Sequence, residues 1–169
     1  MKTIFVDGYN VVNSWPNLNY RKNFSFEAAR QMLIDLLHNY AVYKSCKIIL
    51  VFDAHKVPGS IEKKEEMNKN VSIVFTKDGE TADSYIEKHV NLAGRRCDIT
   101  VVSSDNLVQQ TTFQRGAVRM SSIEFYNEIT SMEKSIRKNT EKNTLNKKNP
   151  IMDNIPNNIL EKLEKIRRS

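Results

Sequence analysis

Hydrophobic positions follow two rhythms along this chain, short continuous runs and helical repeats, and the two alternate. Residues 2–6 (Lys-Thr-Ile-Phe-Val) form an apolar run stopped by Asp7-Gly8. That is the pattern of a buried strand ended by a turn, with Gly8 able to supply a positive φ. Residues 14–24 are rich in Pro and Asn and predict a loop. Ser25 is placed to cap a helix in which Ala28, Ala29, Met32, Leu33, Leu36, Leu37 and Tyr40 recur at helical spacing. Residues 46–52 (CKIILVF) are the strongest strand signal and end at Asp53. The stretch 54–70 contains a Pro-Gly and then Glu62-Lys63-Lys64-Glu65-Glu66, which predicts a solvated, mobile connection. A third strand is predicted over 71–75, a break at Gly79, and a helix over 80–93. Residues 99–102 read as a fourth strand, followed by Ser103-Ser104-Asp105 and a helix over 106–113. A short fifth strand lies within 115–120, and Ser121 with Glu124 forms a capping box for the next helix.

Strands alternating with helices predict an α/β fold with a mostly parallel sheet. Runs that are apolar throughout fit strands covered on both faces. In such sheets the functional crevice lies beyond the carboxyl ends of the strands. Residues 1–134 form the predicted domain. Residues 135–155 are dominated by Asn, Lys and Thr and predict a disordered polar linker. Residues 156–169 predict an amphipathic helix opened by Pro156, with Ile159, Leu160, Leu163 and Ile166 on one face.

Charge adds a partner. Of the 169 residues, 1–130 carry 16 Lys and Arg against 15 Asp and Glu, while 131–169 carry 10 against 5. A basic tail on a near-neutral body points to a polyanion, nucleic acid first, with a merely solubilising tail as the plainer reading. No apolar run is long enough for a membrane span, and the start of the chain does not read as a signal peptide. Two cysteines, Cys46 and Cys97, exclude a disulfide scaffold and a zinc ribbon; both are expected to be buried, in a cytoplasmic protein. Neither a phosphate-binding G-x-x-x-x-G-K-[ST] loop nor a G-x-G-x-x-G is present, so no nucleotide cofactor is expected.

The candidate chemistry is carboxylate. Three predicted strands stop at or near an aspartate: Asp7, Asp53 and Asp105. Parallel neighbours would bring these to one rim. Glu80 and Asp83 follow another strand and enter a helix, where Glu80, Asp83 and Glu87 would share a face. Singly, each acid could be a turn residue, a helix cap or a favourable first-turn charge. Together, without His or thiolate partners, they predict a Mg²⁺ or Mn²⁺ site that activates water at a phosphorus centre. Asn10 could position a water or phosphate, or simply serve a loop hydrogen bond.

Asp7-Gly8-Tyr9-Asn10 after a first strand, Asp83 opening a helix and Ser104-Asp105 after a strand resemble the PIN-like/NYN nuclease superfamily. Residues 59–88 (GSIEKKEEMNKNVSIVFTKDGETADSYIEK) and 115–125 (RGAVRMSSIEF) more closely resemble its YacP-type NYN branch, a bacterial group that includes ribosome-associated endoribonucleases acting on mRNA. The resemblance runs from residue 1 to about 130, with a further trace in 161–168. It implies a three-layer α/β/α domain. It also implies a Mg²⁺ or Mn²⁺ site made chiefly by Asp7, Asp83 and Asp105 with Asn10 alongside, and Asp53 and Glu80 matching acidic positions of the branch.

The expected reaction is hydrolysis of single-stranded RNA, with the ribosome as a partner. Lys56, Lys63, Lys64, Lys77, Arg115 and Arg119 are candidates for phosphate contacts. Tyr9, Trp15 and Tyr20 could stack on unpaired bases or pack at the edge of the core. The chief alternative is a non-catalytic RNA- or ribosome-binding module whose acids are caps. A haloacid-dehalogenase-type phosphatase expects a second Asp where Tyr9 stands, and a flap-endonuclease-like DNA nuclease expects a helical clamp for which the chain is too short.

Overall fold

The computed structural model describes residues 1–54, 61–148 and 157–168. It divides into two compact units, Met1–Ile129 and Thr130–Ser169. The first holds a six-stranded sheet in the order β3-β4-β2-β1-β5-β6. The strands are β1 (Thr3–Asp7), β2 (Lys47–Phe52), β3 (Lys63–Glu66), β4 (Val71–Phe75), β5 (Ile99–Val102) and β6 (Val118–Met120). All neighbours are parallel except β3, which returns against β4.

The helices are α1 (Gly8–Ser14), α2 (Pro16–Lys22), α3 (Phe26–Lys44), α4 (Ala82–Ala93), α5 (Asn106–Gln114) and α6 (Ser122–Lys148), with α7 (Asn157–Arg168) in the second unit. Alternation along the strands assigns the two faces. Phe5, Val51, Val74 and Val101 form one apolar cluster with Ala82, Tyr85, Ile86 and Val90 of α4 and Val108 of α5. The opposite rows, including Ile4, Val6, Ile48, Leu50 and Phe52, are equally buried. Phe26 of α3 meets Phe52 edge-on, and Tyr40 of α3 meets Phe125 of α6, so helices cover this side too. The fold is therefore the expected three-layer α/β PIN-like architecture.

Local signals fixed several boundaries. The Ser25 hydroxyl accepts from the Ala28 N–H at 3.2 Å. Glu124 Oε2 accepts from the Ser121 N–H at 2.7 Å and the Ser121 hydroxyl accepts from the Glu124 N–H at 3.2 Å, a complete capping box. Other expectations fail. The predicted loop 14–24 contains α2, which Pro16 opens. The predicted connection 54–70 contains β3, whose charged residues suit an edge strand. α4 starts at Ala82 with Thr81 as its cap, so Glu80 is outside it. α6 runs on to Lys148 where a disordered linker was expected; the remainder of that linker, and Pro156, lie outside the described residues. Cys46 is buried as predicted, but Cys97 is exposed.

Gly8 is not a turn residue with positive φ; it begins α1 directly after β1. A Cβ there would stand 2.4 Å from the Phe52 ring, so only glycine lets α1 start this close to the end of β2. Trp15, between α1 and α2, is buried and donates its indole N–H to the Ser122 carbonyl at 2.8 Å. Among the described residues no helix is long and apolar enough to cross a membrane.

Candidate active site

The order of the strands decides where the carboxylates meet. β1 lies between β2 and β5, and the chain leaves β1 toward β2 but later enters β5 on the other side. This is a topological switch point, where parallel sheets open a crevice at the carboxyl edge. Asp7 ends β1 opposite Val51, and Asp53 lies two residues beyond Val51, so both continue the row that faces α4. Asp83 sits in the first turn of α4. The three carboxylates line one cleft of about 640 Å³, whose wall also includes Tyr9, Asn10 and Phe75.

The Asp7 and Asp83 carboxyls lie close enough to act on each other's ionisation, an interaction that raises Asp7 and lowers Asp83. Burial pushes the Asp7 carboxyl from 3.8 up to about 6, with the Asp83 and Asp53 charges adding to the rise against the opposing Asn10 N–H bond. Burial also raises Asp83, followed by the charge of Asp105. Asp83 Oδ1 is buried with no hydrogen-bond partner. A buried carboxylate oxygen left unpaired is costly, and a cation is one way of satisfying it.

Asp105 stands further out. It is exposed, and its Oδ1 accepts from the Leu107 N–H at 2.8 Å as the N-cap of α5. Among the described residues no three acidic, His or Cys side chains stand close enough to hold one ion directly. The expected trio is therefore a close pair, Asp7 and Asp83, with Asp105 further out, and Asp53 is a fourth carboxylate whose charge acts on the pair. The N-cap role of Asp105 holds it at the start of α5, apart from the pair. Mg²⁺ takes only one or two carboxylates and keeps waters, so the pair and its orphaned oxygen fit Mg²⁺ or Mn²⁺ in donor type and number. Glu80 does not join them. It is buried outside the cleft lining, and its charge acts on Tyr85.

Two connectors hold the rim together. The Asn10 N–H donates to Asp7 Oδ1 at 3.2 Å, while Asn10 Oδ1 accepts from the Ser104 N–H at 3.1 Å. Asn10 thus ties the end of β1 to the loop carrying Asp105. The second connector was not foreseen. The fully buried Thr76 hydroxyl accepts from the Ala54 N–H at 3.1 Å and donates to the Glu80 carbonyl at 2.7 Å. It links the segment after Asp53 to the segment before Asp83. Nothing in sequence marks it beyond its place one residue after a strand.

The predicted basic residues scatter. Lys63 lies opposite Phe75, on the cleft side of β3, but its ammonium pairs with Glu65 at 2.5 Å. Lys64 pairs with Glu66 at 3.6 Å. Lys77 is exposed on the loop after β4, at the carboxyl edge. Arg115 caps the end of α5 before β6, at the opposite edge of the sheet, and is not brought to the cleft. Arg119 stands over the Phe113 ring at 5.3 Å, on the outermost strand. Lys56 lies outside the described residues. Two cations that sequence reasoning passed over are closer: Lys22 donates to Asn13, a lining residue, at 2.6 Å, and Arg30 stands over the Phe75 ring at 5.4 Å. Of the aromatic candidates Tyr9 lines the cleft, Trp15 is buried, and Tyr20 is exposed against Phe24.

Comparison with known proteins decides the family. The pattern of the YacP-like NYN domain matches residues 4–168. The chain belongs to the YacP-like NYN domain family. YacP of Bacillus subtilis (strain 168) is 40% identical over 148 residues, covering 87% of this chain and 86% of that protein. The crystal structure of Rae1 (YacP) from Bacillus subtilis superposes with a TM-score of 0.72 at 36% identity, covering 100% of this chain and 96% of that one. The crystal structure of a point mutant of the same Rae1 gives 0.73 at 36% identity, over 85% of this chain and 84% of that one. The family carries a nuclease-like domain.

Proposed function

We propose that this member of the YacP-like NYN family is a metal-dependent endoribonuclease. It hydrolyses phosphodiester bonds of single-stranded RNA, mRNA in association with the ribosome, in the cytoplasm. The observation that carries this reading is the gathering of Asp7, Asp53 and Asp83 in one cleft at the switch point, with the buried Asp83 Oδ1 left without a hydrogen-bond partner. Asp7 and Asp83 would hold Mg²⁺ or Mn²⁺, with Asp53 and Asp105 adding negative field. Such an ion, when bound, activates water and neutralises charge gathering at phosphorus.

The rest falls to the chain's own groups. Asn10 fixes the Asp7 carboxylate and the Ser104–Asp105 loop at once. Thr76 holds the Asp53 and Asp83 segments in register. Lys77 and Lys63, at the carboxyl edge, lie on the side from which a phosphate backbone would arrive. The proton on Asp7 competes with the cation, so metal binding should weaken as pH falls toward about 6. The basic excess of 131–169 suits a longer-range grip on RNA phosphates, which weakens steeply with salt.

The test is incubation of the purified protein with translating ribosomes and with naked RNA, with Mg²⁺ or Mn²⁺ or a chelator, beside Asp83→Asn. Metal-dependent cleavage that Asp83→Asn abolishes is the expected result. Intact RNA in every condition refutes hydrolysis, and RNA binding unchanged by Asp7→Asn would then favour a non-catalytic binding module. Equal cleavage of naked and ribosome-bound RNA refutes the ribosomal link.

A further inference from the structure

Part of the cleft lining is aromatic, and the proposed hydrolysis does not use it. Tyr9 is 39% exposed, an unusual position for a ring that reaches the lining of a polar site. It is not a loose surface group. Phe26 stacks on it at 5.2 Å with an interplanar angle of 29°, and Phe52 meets it edge-on at 5.4 Å. Phe52 in turn stacks on Phe75 at 5.7 Å and 20°. Four rings from α1, α3, β2 and β4 therefore brace one another, and two of them, Tyr9 and Phe75, reach the cleft. Arg30 stands over Phe75 and forms an ion pair with Glu27, so its guanidinium is held beside this wall. Burial raises the Tyr9 hydroxyl, with the Asp53 charge adding to the rise and the Arg30 charge opposing it, so both charges are within reach of this wall.

We propose that this wall is a seat for one unpaired nucleobase of the RNA strand, next to the phosphate that the carboxylates address. The proposal deepens the endoribonuclease reading and rests on it for the identity of the strand. A base offers a flat apolar face to Tyr9 and polar edges to the mouth of the cleft, and a cleft of about 640 Å³ is within the usual size for a ligand pocket. Aromatic wall, flanking guanidinium and nearby anion-handling groups are what a single strand needs and what a base-paired strand cannot use, because its bases are already stacked. The rigidity of the four-ring brace matters, since a ring that is already held loses little freedom on stacking.

Binding is measured by fluorescence anisotropy with the full chain in chelator at low salt, so that no cleavage is involved. The probes are a short single-stranded RNA and the same strand with every base removed, which keeps all phosphates. Wild-type protein should bind the normal strand at least about fivefold more tightly. Tyr9→Ala should erase most of that preference, whereas Tyr9→Phe, which keeps the ring, should retain it. Circular dichroism confirms that each variant is folded, and the wild-type comparison needs no variant. Equal affinity for the two strands, a preference untouched by Tyr9→Ala, or no binding of either strand overturns the seat. Metal-dependent cleavage that persists in those cases leaves the nuclease reading standing. A base preference lost in Tyr9→Ala, from a protein that never cuts RNA, leaves the seat and removes the hydrolysis.

Discussion

Replacing Asp7 with asparagine should stabilise the metal-free protein while abolishing its proposed activity. Asp7 has its carboxyl pushed from 3.8 to about 6 by burial and by the Asp83 and Asp53 charges. An acid whose folded value is raised favours the folded state fully only below its unfolded value. Between about pH 4 and pH 6 the native state binds more protons than the unfolded chain, so stability falls as pH rises through that window. The gap of about 2 pH units corresponds to about 3 kcal/mol above pH 6, an upper figure because the unfolded chain and relaxation of the cleft both reduce it. Asparagine removes that cost without removing the geometry. Its side-chain oxygen still accepts from the Asn10 N–H as the N-cap of α1, and its amide can donate to Asp83. For a chain of this size the gain amounts to about 4–10 °C in melting temperature. The assay is thermal unfolding followed by circular dichroism in chelator, at pH 7.5 and at pH 4. Asp7→Asn should melt higher at pH 7.5, match wild type near pH 4, and lose the stabilisation that Mg²⁺ or Mn²⁺ confers on wild type. A lower melting point at pH 7.5, or the same gain at both pH values, refutes the reasoning.

Other substitutions test the architecture around the pair. Gly8→Ala places a methyl 2.4 Å from the Phe52 ring and should cost about 1–3 kcal/mol, read by urea unfolding, with Tyr9 displaced as well. Thr76→Val removes the hydroxyl that accepts from the Ala54 N–H and donates to the Glu80 carbonyl; it should cost about 1–2 kcal/mol and lower cleavage, while Thr76→Ser restores both. Asn10→Ala should cost about 1 kcal/mol in stability and reduce cleavage by more than that loss alone predicts, because the Ser104–Asp105 loop is released. Arg115→Ala, at the opposite edge of the sheet, should leave the cleavage rate of a short RNA unchanged; a large drop would show that the substrate path wraps around the domain.

The elements with strong local signals were readable from the chain alone. Residues 48–52 are apolar throughout and 71–75 are apolar but for Ser72, and both lie in strands buried on both faces. Ser25, Ser121 and Glu124 carry their helix starts in their own side chains. The errors came where a local pattern was weak. Gly8 reads as a turn because glycine usually serves one, yet here it answers to the ring of Phe52, more than forty positions away. The charged run 62–66 reads as solvent-exposed connection, and it is exposed, but as an edge strand whose partner is β4. The helical spacing that grouped Glu80 with Asp83 lapsed because the helix starts two residues later.

The sequence by itself determined which residue types could do chemistry and roughly where they stand: Asp7, Asp53 and Asp105 are legible as acids just after apolar runs, and Asp83 as an acid entering a helix. Only the tertiary structure decided which of them meet. Strand order set β1 between β2 and β5, alternation turned Asp7 and Asp53 toward α4, and burial then joined Asp7 to Asp83 while leaving Asp105 at the surface. The physical reason is range. Capping and periodicity act within a turn or two of chain, whereas desolvation and charge repulsion depend on neighbours that strand pairing alone brings together.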